Sequence, residues 1–142
     1  ACGRLVHVAG RIAGAGVADR VVLPGFVPDS ELRHLYAGAI GSALVSLEDG
    51  FGLPAVEAAA CGTPCVATIH SPLPDVLVGG GLFVDPADES AIAEAITRLT
   101  TDTELRRRCA DTALARAQAL SWKAAADTAR DVFVATASRA GA

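Results

Sequence analysis

Two carboxylates and two glycines in one short stretch are the strongest chemical signal in the sequence. Asp49, Gly50, Gly52 and Glu57 fall in Ser46-Leu-Glu-Asp-Gly-Phe-Gly-Leu-Pro-Ala-Val-Glu57, where a glycine-rich turn runs into a helix-forming segment. Glycine lets a backbone come close to a ligand and take a positive φ where a turn demands it. A helix starting near Leu53 presents unpaired N–H groups and the positive end of its dipole, which suits a phosphate. Asp49 stands just before that helix and Glu57 about one turn inside it, so both can border one crevice and accept hydrogen bonds from hydroxyl groups. Two better-known phosphate loops are excluded. No Gly-Lys-Ser/Thr follows, and the spacing after Gly52 does not fit G-x-G-x-x-G. A strand, a glycine turn and a helix also form an ordinary piece of α/β architecture, so the local pattern leaves a ligand site and a purely structural turn both open.

The elements that must position these residues can be read from hydropathy and turn signals. Leu5, Val8, Ala9 and Ile12 recur at helical spacing, and Gly14 and Gly16 stop the pattern. Arg20–Leu23, bounded by Pro24-Gly25, is predicted to be a buried strand. Asp29 or Ser30 can cap a helix carrying Leu32, Leu35 and Tyr36. Ser42–Leu47 is predicted to be a strand covered on both faces. Pro54 is permitted in the first turn of the next helix, which Gly62 and Pro64 end. Cys65–Thr68 and Gly81–Val84 are predicted strands. Asp85-Pro86 opens a helix lined by Ile92, Ala95, Ile96 and Leu99, and Thr101 with Glu104 has capping-box spacing for another. Ser121 caps a last helix with Ala125, Ala129, Val132 and Phe133 inward and Trp122 anchoring it to the core. Alternating strands and helices imply an α/β fold with a parallel sheet and helices on both faces, ending in a run of helices over one side. In such a sheet ligands bind beyond the carboxyl ends of the strands, where Asp49 and Gly52 fall.

Bulk properties narrow the class. The chain has 142 residues, 51% hydrophobic and 20% charged, which fits one globular domain. A net charge of -4 and a pI near 5.2 argue against a nucleic-acid binder. The longest uncharged stretch, Ala58 to Pro74, holds three prolines and a histidine and is no membrane span. The N-terminus lacks the pattern of a signal peptide. Cys2, Cys61, Cys65 and Cys109 are too sparse for a disulfide framework and lack zinc-ribbon spacing, so free buried thiols in a reducing cytoplasm are expected. There is no methionine, which fits either an initiator removed ahead of Ala1 or a piece of a longer chain. His70 is expected in a surface loop, Cys61 in packing, and Arg106-Arg107-Arg108 on a solvated helix face.

From about Asp19 to about Trp122 the sequence resembles the C-terminal, donor-binding domain of the retaining GT-B glycosyltransferases called glycosyl transferases group 1, or family 4. The resemblance rests on Arg20-Val-Val-Leu-Pro-Gly-Phe-Val-Pro28, Glu31-Leu32, Leu35-Tyr36, Gly50-Phe-Gly-Leu-Pro54, Glu57-Ala58, Cys61-Gly-Thr-Pro64, Leu73-Pro74 and Gly81-Leu-Phe-Val-Asp-Pro86. Each fragment alone is weak; their order and spacing together are specific. The resemblance implies a Rossmann-like sheet, the C-terminal half of a GT-B fold. It implies a nucleotide-sugar as donor co-substrate, no separate cofactor, no metal, and transfer of a hexose with retention of anomeric configuration. UDP, GDP and ADP are all compatible as the nucleotide. The family's two glutamates, separated by seven residues, fall on Asp49 and Glu57. Asp49 would be the catalytic group at the donor sugar's hydroxyls, and Glu57 would hold the ribose hydroxyls. The backbone of Gly50, Phe51, Gly52 and Leu53 would lie against the sugar and diphosphate, and Val27 and Pro28 would meet the nucleobase.

The departures from the family pattern are as informative. Asp49 replaces the usual Glu and reaches about 1.5 Å less far. The Arg and Lys that follow the family's first strand here and neutralise the diphosphate have no counterpart, and Lys123 is the only lysine. Residues 1–142 are therefore expected to be a partial nucleotide-sugar-binding domain, without its first strand and without the N-terminal acceptor domain. The acceptor, a sugar, lipid or small molecule, would be met by that other domain, and the full-length enzyme would be cytoplasmic or peripheral at a membrane. The isolated chain is expected to be inactive in transfer. Two rivals stand beside this expectation: a glycosidase-like carboxylate pair, disfavoured because both groups share one segment, and a non-catalytic nucleotide-binding or protein-interaction module of the same fold.

Overall fold

The computed structural model describes residues 2–140 and divides into two compact units, Ala1–Glu31 and Leu32–Ala142. In the first, α1 (Cys2–Gly14) ends through a left-handed Gly16 (φ 68°) and a single 3-10 turn at Ala18–Arg20. The helix expected around Val8, Ala9 and Ile12 is present; the inward face expected at Leu5 lies outside the described side chains. The strand expected at Arg20–Leu23 does not form. Val21 is extended (φ -118°, ψ 126°), but the segment has no ladder partner among the described residues, and Val22 is 84% exposed. An apolar, β-branched run becomes a strand only when a neighbouring strand takes up its N–H and C=O groups. Helix α2 (Asp29–Gly38) starts where the capping residues were expected.

The second unit is built on a three-stranded parallel sheet in the order β1 (Ser42–Leu44), β2 (Cys65–Thr68), β3 (Gly81–Val84). Register pairs Ser42 with Cys65 and Leu44 with Ala67, then Cys65 with Gly81 and Thr68 with Val84. Strand β1 ends three residues earlier than expected, where the chain leaves the ladder for the glycine-rich loop. Central β2 is buried throughout, and its pleat sends alternate side chains into two cores. Cys65 and Ala67 pack with Ala55 and Ala59 of α3 (Leu53–Ala60), Leu73 and Leu77 at α4 (Leu73–Val76), and Ala113 and Ala117 of α6 (Thr103–Ala119). Val66 faces the other way onto Ala95 and Leu99 of α5 (Glu89–Thr101). Small alanines on α3 and α6 let these helices approach the sheet closely. The chain is thus α/β and Rossmann-like, with helices on both faces.

Helix starts differ in detail from the expected ones, because aspartates do the capping. Asp85 Oδ1 accepts the Ala87 N–H, and the helix begins later, with Asp88 accepting the Ala91 N–H. Asp102, not Thr101, caps α6 by accepting the Leu105 N–H at 2.9 Å. The Thr101 hydroxyl donates back to the Thr97 carbonyl instead, and Glu104 pairs with Arg107. Ser121 caps α7 (Trp122–Ala140) as expected, through the Ala124 N–H.

The last three helices do not share one side of the sheet. Helices α5 and α6 lie on opposite faces. With both faces of β2 covered, α7 finds no open sheet surface in this unit. Ala125, Ala129, Val132 and Phe133 are exposed, and Trp122 is 81% exposed rather than an anchor. The helix is held by its cap and by local pairs of Asp127 with Lys123 and Arg130.

Candidate functional site

The carboxyl ends of all three strands open on one edge of the sheet, because the ladders are parallel. Three loops leave that edge: 45–52 into α3, 69–72 into α4 and 85–88 into α5. The first carries the residues singled out by the sequence. Gly52 is the N-cap of α3, buried and left-handed (φ 82°, ψ 37°), and its carbonyl accepts the N–H groups of Ala55 and Val56. A Cβ there would lie 2.5 Å from Leu73 Cδ1, so the α4 start closes over the α3 N-terminus and only glycine fits between them. Glycine offers no capping side chain, and none is supplied from elsewhere. The first-turn N–H of Leu53 has no protein acceptor among the described residues.

Leu53 and Glu57 are four residues apart and share the exposed side of α3, opposite the buried Ala55, Ala58 and Ala59. Asp49 is half-buried in the loop, Gly50 is exposed, and Phe51 is 43% exposed. The fold therefore gathers Asp49, Gly50, Phe51, Gly52, Leu53 and Glu57 at one strand-end loop and helix start. Val27 and Pro28 belong to the first unit, where Val27 is half-buried and the Pro28 carbonyl accepts the Glu31 N–H.

Tyr36 joins this group, although the sequence marks it only as an apolar position on α2. Burial and, next, the Glu57 carboxylate beside it raise its phenol above the ordinary tyrosine value. Its carbonyl accepts the Thr63 hydroxyl at 2.6 Å, which ties α2 to the turn after α3. A tyrosine in an apolar stripe has a polar tip that needs a partner, and that is the signal that could have flagged it.

Other candidates fall away from the chemistry. Burial pushes the Cys65 thiol up to about 11, with Cys109 adding to it, so Cys65 is a packing residue and no nucleophile. Cys61 is half-buried at the C-terminus of α3. Arg107 and Arg108 are exposed and pair along their own helix, while Arg106 donates to the Leu99 and Thr100 carbonyls at the end of α5. A recess of about 310 Å³ lined by Ile40, Gly62, Pro64 and Arg106 lies at the other end of the strands, away from the loops that bear the carboxylates. No group of three or more His, Cys, Asp or Glu able to hold a metal is found among the described residues.

The family model described as Glycosyl transferases group 1 matches residues 6–116. The chain is 39% identical over 99 residues to an O-antigen chain mannosyltransferase B of Escherichia coli, covering 70% of this chain and 26% of that protein. It is 40% identical over 108 residues to a D-inositol 3-phosphate glycosyltransferase of Corynebacterium jeikeium, covering 75% and 26%. Among solved structures, the sucrose-phosphate synthase of Thermosynechococcus elongatus superposes with a TM-score of 0.83 at 31% identity, over 94% of this chain and 35% of that one. The C-terminal domain of a glycosyl transferase group 1 family protein from Francisella tularensis gives 0.72 at 27% identity, over 82% and 61%. The chain thus spans about a quarter of the length of the curated relatives it matches.

Proposed function

The chain belongs to the glycosyl transferases group 1, and from that membership we propose that it is the donor-binding part of a hexosyltransferase using a nucleotide-sugar with retention of configuration. The observation that carries the proposal is the uncapped N-terminus of α3, bounded by Asp49 and Glu57. In this scheme the diphosphate lies against the backbone of Gly50 to Leu53, where the helix end favours the negative charge that develops as the nucleoside diphosphate leaves. Asp49 accepts hydrogen bonds from the donor sugar's hydroxyls, and Glu57, steadied by Tyr36, accepts them from the ribose. No metal or other cofactor is called for, since fixed dipoles take the charge a divalent ion would otherwise neutralise. The acceptor, a sugar, lipid or small molecule, is met by the remainder of a longer protein, as the relatives' length suggests.

The test is a titration of UDP, GDP and ADP against this chain and its Glu57→Ala variant, read by amide shifts in NMR. Binding in the millimolar range is expected, about -4 kcal/mol. Loss of two charge-assisted hydrogen bonds should weaken it by tenfold or more, on the order of 1.5–3 kcal/mol. Unchanged nucleotide binding by Glu57→Ala overturns the residue assignment. A second reading, a non-catalytic module of the same fold, is favoured by one feature. The loops 45–52, 69–72 and 85–88 carry Glu48, Asp49, Asp85 and Asp88 but no Lys or Arg. Transfer by the longer protein that is abolished by Asp49→Ala would decide for the enzyme.

A further inference from the structure

His70 is the one side chain on those three strand-end loops that can carry positive charge. It stands two residues beyond β2, between the loop of Asp49 and the loop of Asp85 in the order of the sheet. Its position is fixed at several points. The His70 N–H donates to Oγ1 of the fully buried Thr68 at 3.0 Å. The Ser71 hydroxyl donates to the Thr68 carbonyl and accepts the Leu73 N–H. Leu73 is itself fully buried and packs against Gly52, so the loop that holds His70 rests on the N-terminus of α3. On its other side, His70 Nε2 lies 3.7 Å from Asp85 Oδ1. Asp85 in turn is held by the Ala87 N–H, so neither member of the pair hangs on a free loop.

Resting on the donor-site proposal above, we propose that His70, which faces Asp85 at 3.7 Å, is a further contact for the diphosphate of the nucleotide. Both ring nitrogens of an imidazolium are donors, so with Nε2 facing Asp85 at ion-pair distance the Nδ1–H is left for a ligand oxygen. About half of each side chain is open to solvent, so the pair can be reached by a ligand without rearrangement of the core. The chemistry recognised is a phosphate oxygen: the neighbouring carboxylates Asp49 and Glu57 are acceptors and suit hydroxyls, while the protonated His70 ring donates from Nδ1 and carries a positive charge.

The experiment uses the 142-residue chain with 13C-labelled histidine at constant pH. UDP, GDP, inorganic pyrophosphate and the phosphate-free nucleosides are added in turn. The His70 ring signals should move with UDP, GDP and pyrophosphate, with the same midpoint as the Gly52 and Leu53 amides, while the signals of His34 on α2 stay in place. The nucleosides alone should leave His70 unmoved. His70→Ala, at a half-exposed position, should fold normally by circular dichroism and bind UDP about three- to tenfold more weakly, the worth of one hydrogen bond. If the Gly52 and Leu53 amides respond and His70 does not, the His70 contact is overturned and the donor site stands. If those amides do not respond either, both are overturned. A His70 response to nucleosides equal to that with UDP also overturns the assignment to phosphate.

Discussion

Replacing Gly52 by alanine tests the idea that the α3 start and the α4 loop are packed as one piece. The added Cβ would lie 2.5, 2.7 and 2.9 Å from Cδ1, Cγ and Cδ2 of Leu73. Leu73 is fully buried in the core with Ala55, Ala59 and Ala113 and has nowhere to move. Overpacking of that kind costs about 1–3 kcal/mol. The left-handed φ of 82° adds about 1–2 kcal/mol for any residue with a Cβ. Gly52→Ala should therefore lose about 2–5 kcal/mol, a large share of the roughly 5–15 kcal/mol typical of a domain. Gly62 supplies the control. It is also left-handed (φ 76°), but a Cβ there meets nothing within 4 Å, so Gly62→Ala should lose only the backbone part, about 1–2 kcal/mol. Leu73→Ala alone leaves a cavity and should cost about 2–5 kcal/mol. In that background the Gly52 methyl has room, and the double variant should be more stable than the sum of the singles by about 1–3 kcal/mol. Urea unfolding followed by circular dichroism, with the midpoints compared at constant m, gives all four values. If Gly52→Ala costs no more than Gly62→Ala, or costs the same with and without Leu73, the close packing of this loop on the helix end is refuted.

Other regions give independent checks. Because folding lifts the Cys65 thiol from about 9 to about 11, at pH 8 about one molecule in a thousand carries its thiolate, against about one in ten for an unperturbed thiol. Maleimide or iodoacetamide labelling read by mass spectrometry should leave Cys65 unmodified in the folded chain and modify it after urea. The same shift has a sign for stability: the neutral thiol stabilises the fold below about pH 9, and this contribution falls as pH rises towards 11, by on the order of 2–3 kcal/mol. A urea midpoint that rises over that interval contradicts the burial. For the helix starts, Asp102→Ala should cost about 1 kcal/mol and Thr101→Ala less than about 0.5 kcal/mol, since only Asp102 caps α6; equal losses would restore the capping box. Trp122 should fluoresce at the water-exposed end of the indole range and be fully quenched by iodide; a shielded indole means that α7 is covered.

What the sequence made legible depends on whether the cause of each element is local. The glycine turn, Pro54 and the Gly62 stop are backbone preferences, and α3 forms over Leu53–Ala60 as they dictate. Strands β2 and β3 are short apolar runs whose partners are each other, and they too appear where expected. Arg20–Leu23 is also a short, largely apolar run, but strand identity is a property of the pair, and that run has no ladder partner among the described residues. The α7 stripe fails for a related reason. Its apolar spacing is that of a buried helix, but burial needs an open face, and β2 has none left once α3, α5 and α6 are in place. The caps of α5 and α6 were misassigned by one to three residues because Asp85, Asp88, Thr101 and Asp102 all carry capping side chains, and only the tertiary turn selects among them. At the site, the contiguous residues Asp49 to Glu57 were legible as a motif. Tyr36 and His70 were not, because their link to it runs through α2 and through the Leu73–Gly52 contact, neither of which leaves a mark at fixed spacing.

The charge balance around the α3 N-terminus decides what this crevice can hold. A helix end contributes about half a positive charge, spread over its first turn. His70, when protonated, adds a donor and one more charge. Against these stand Glu48, Asp49, Glu57 and Asp85 on the same loops and helix start. Carboxylates in that number offset much of this positive charge and accept from hydroxyl-bearing rings, so the diphosphate contacts at the helix end and His70 should contribute modestly and the sugars much of the rest. It follows that UDP should gain over uridine by about the three- to tenfold assigned to the His70 contact and not by orders of magnitude, that Glu57→Ala should hurt both alike, and that added salt should change either affinity only slightly, because few net charges are neutralised on binding. A tight, steeply salt-dependent preference for the diphosphate would require a cationic partner that these three loops do not contain. In that case the phosphate-binding power would have to be sought among basic residues elsewhere in the chain, and the contribution assigned to the helix end would shrink accordingly.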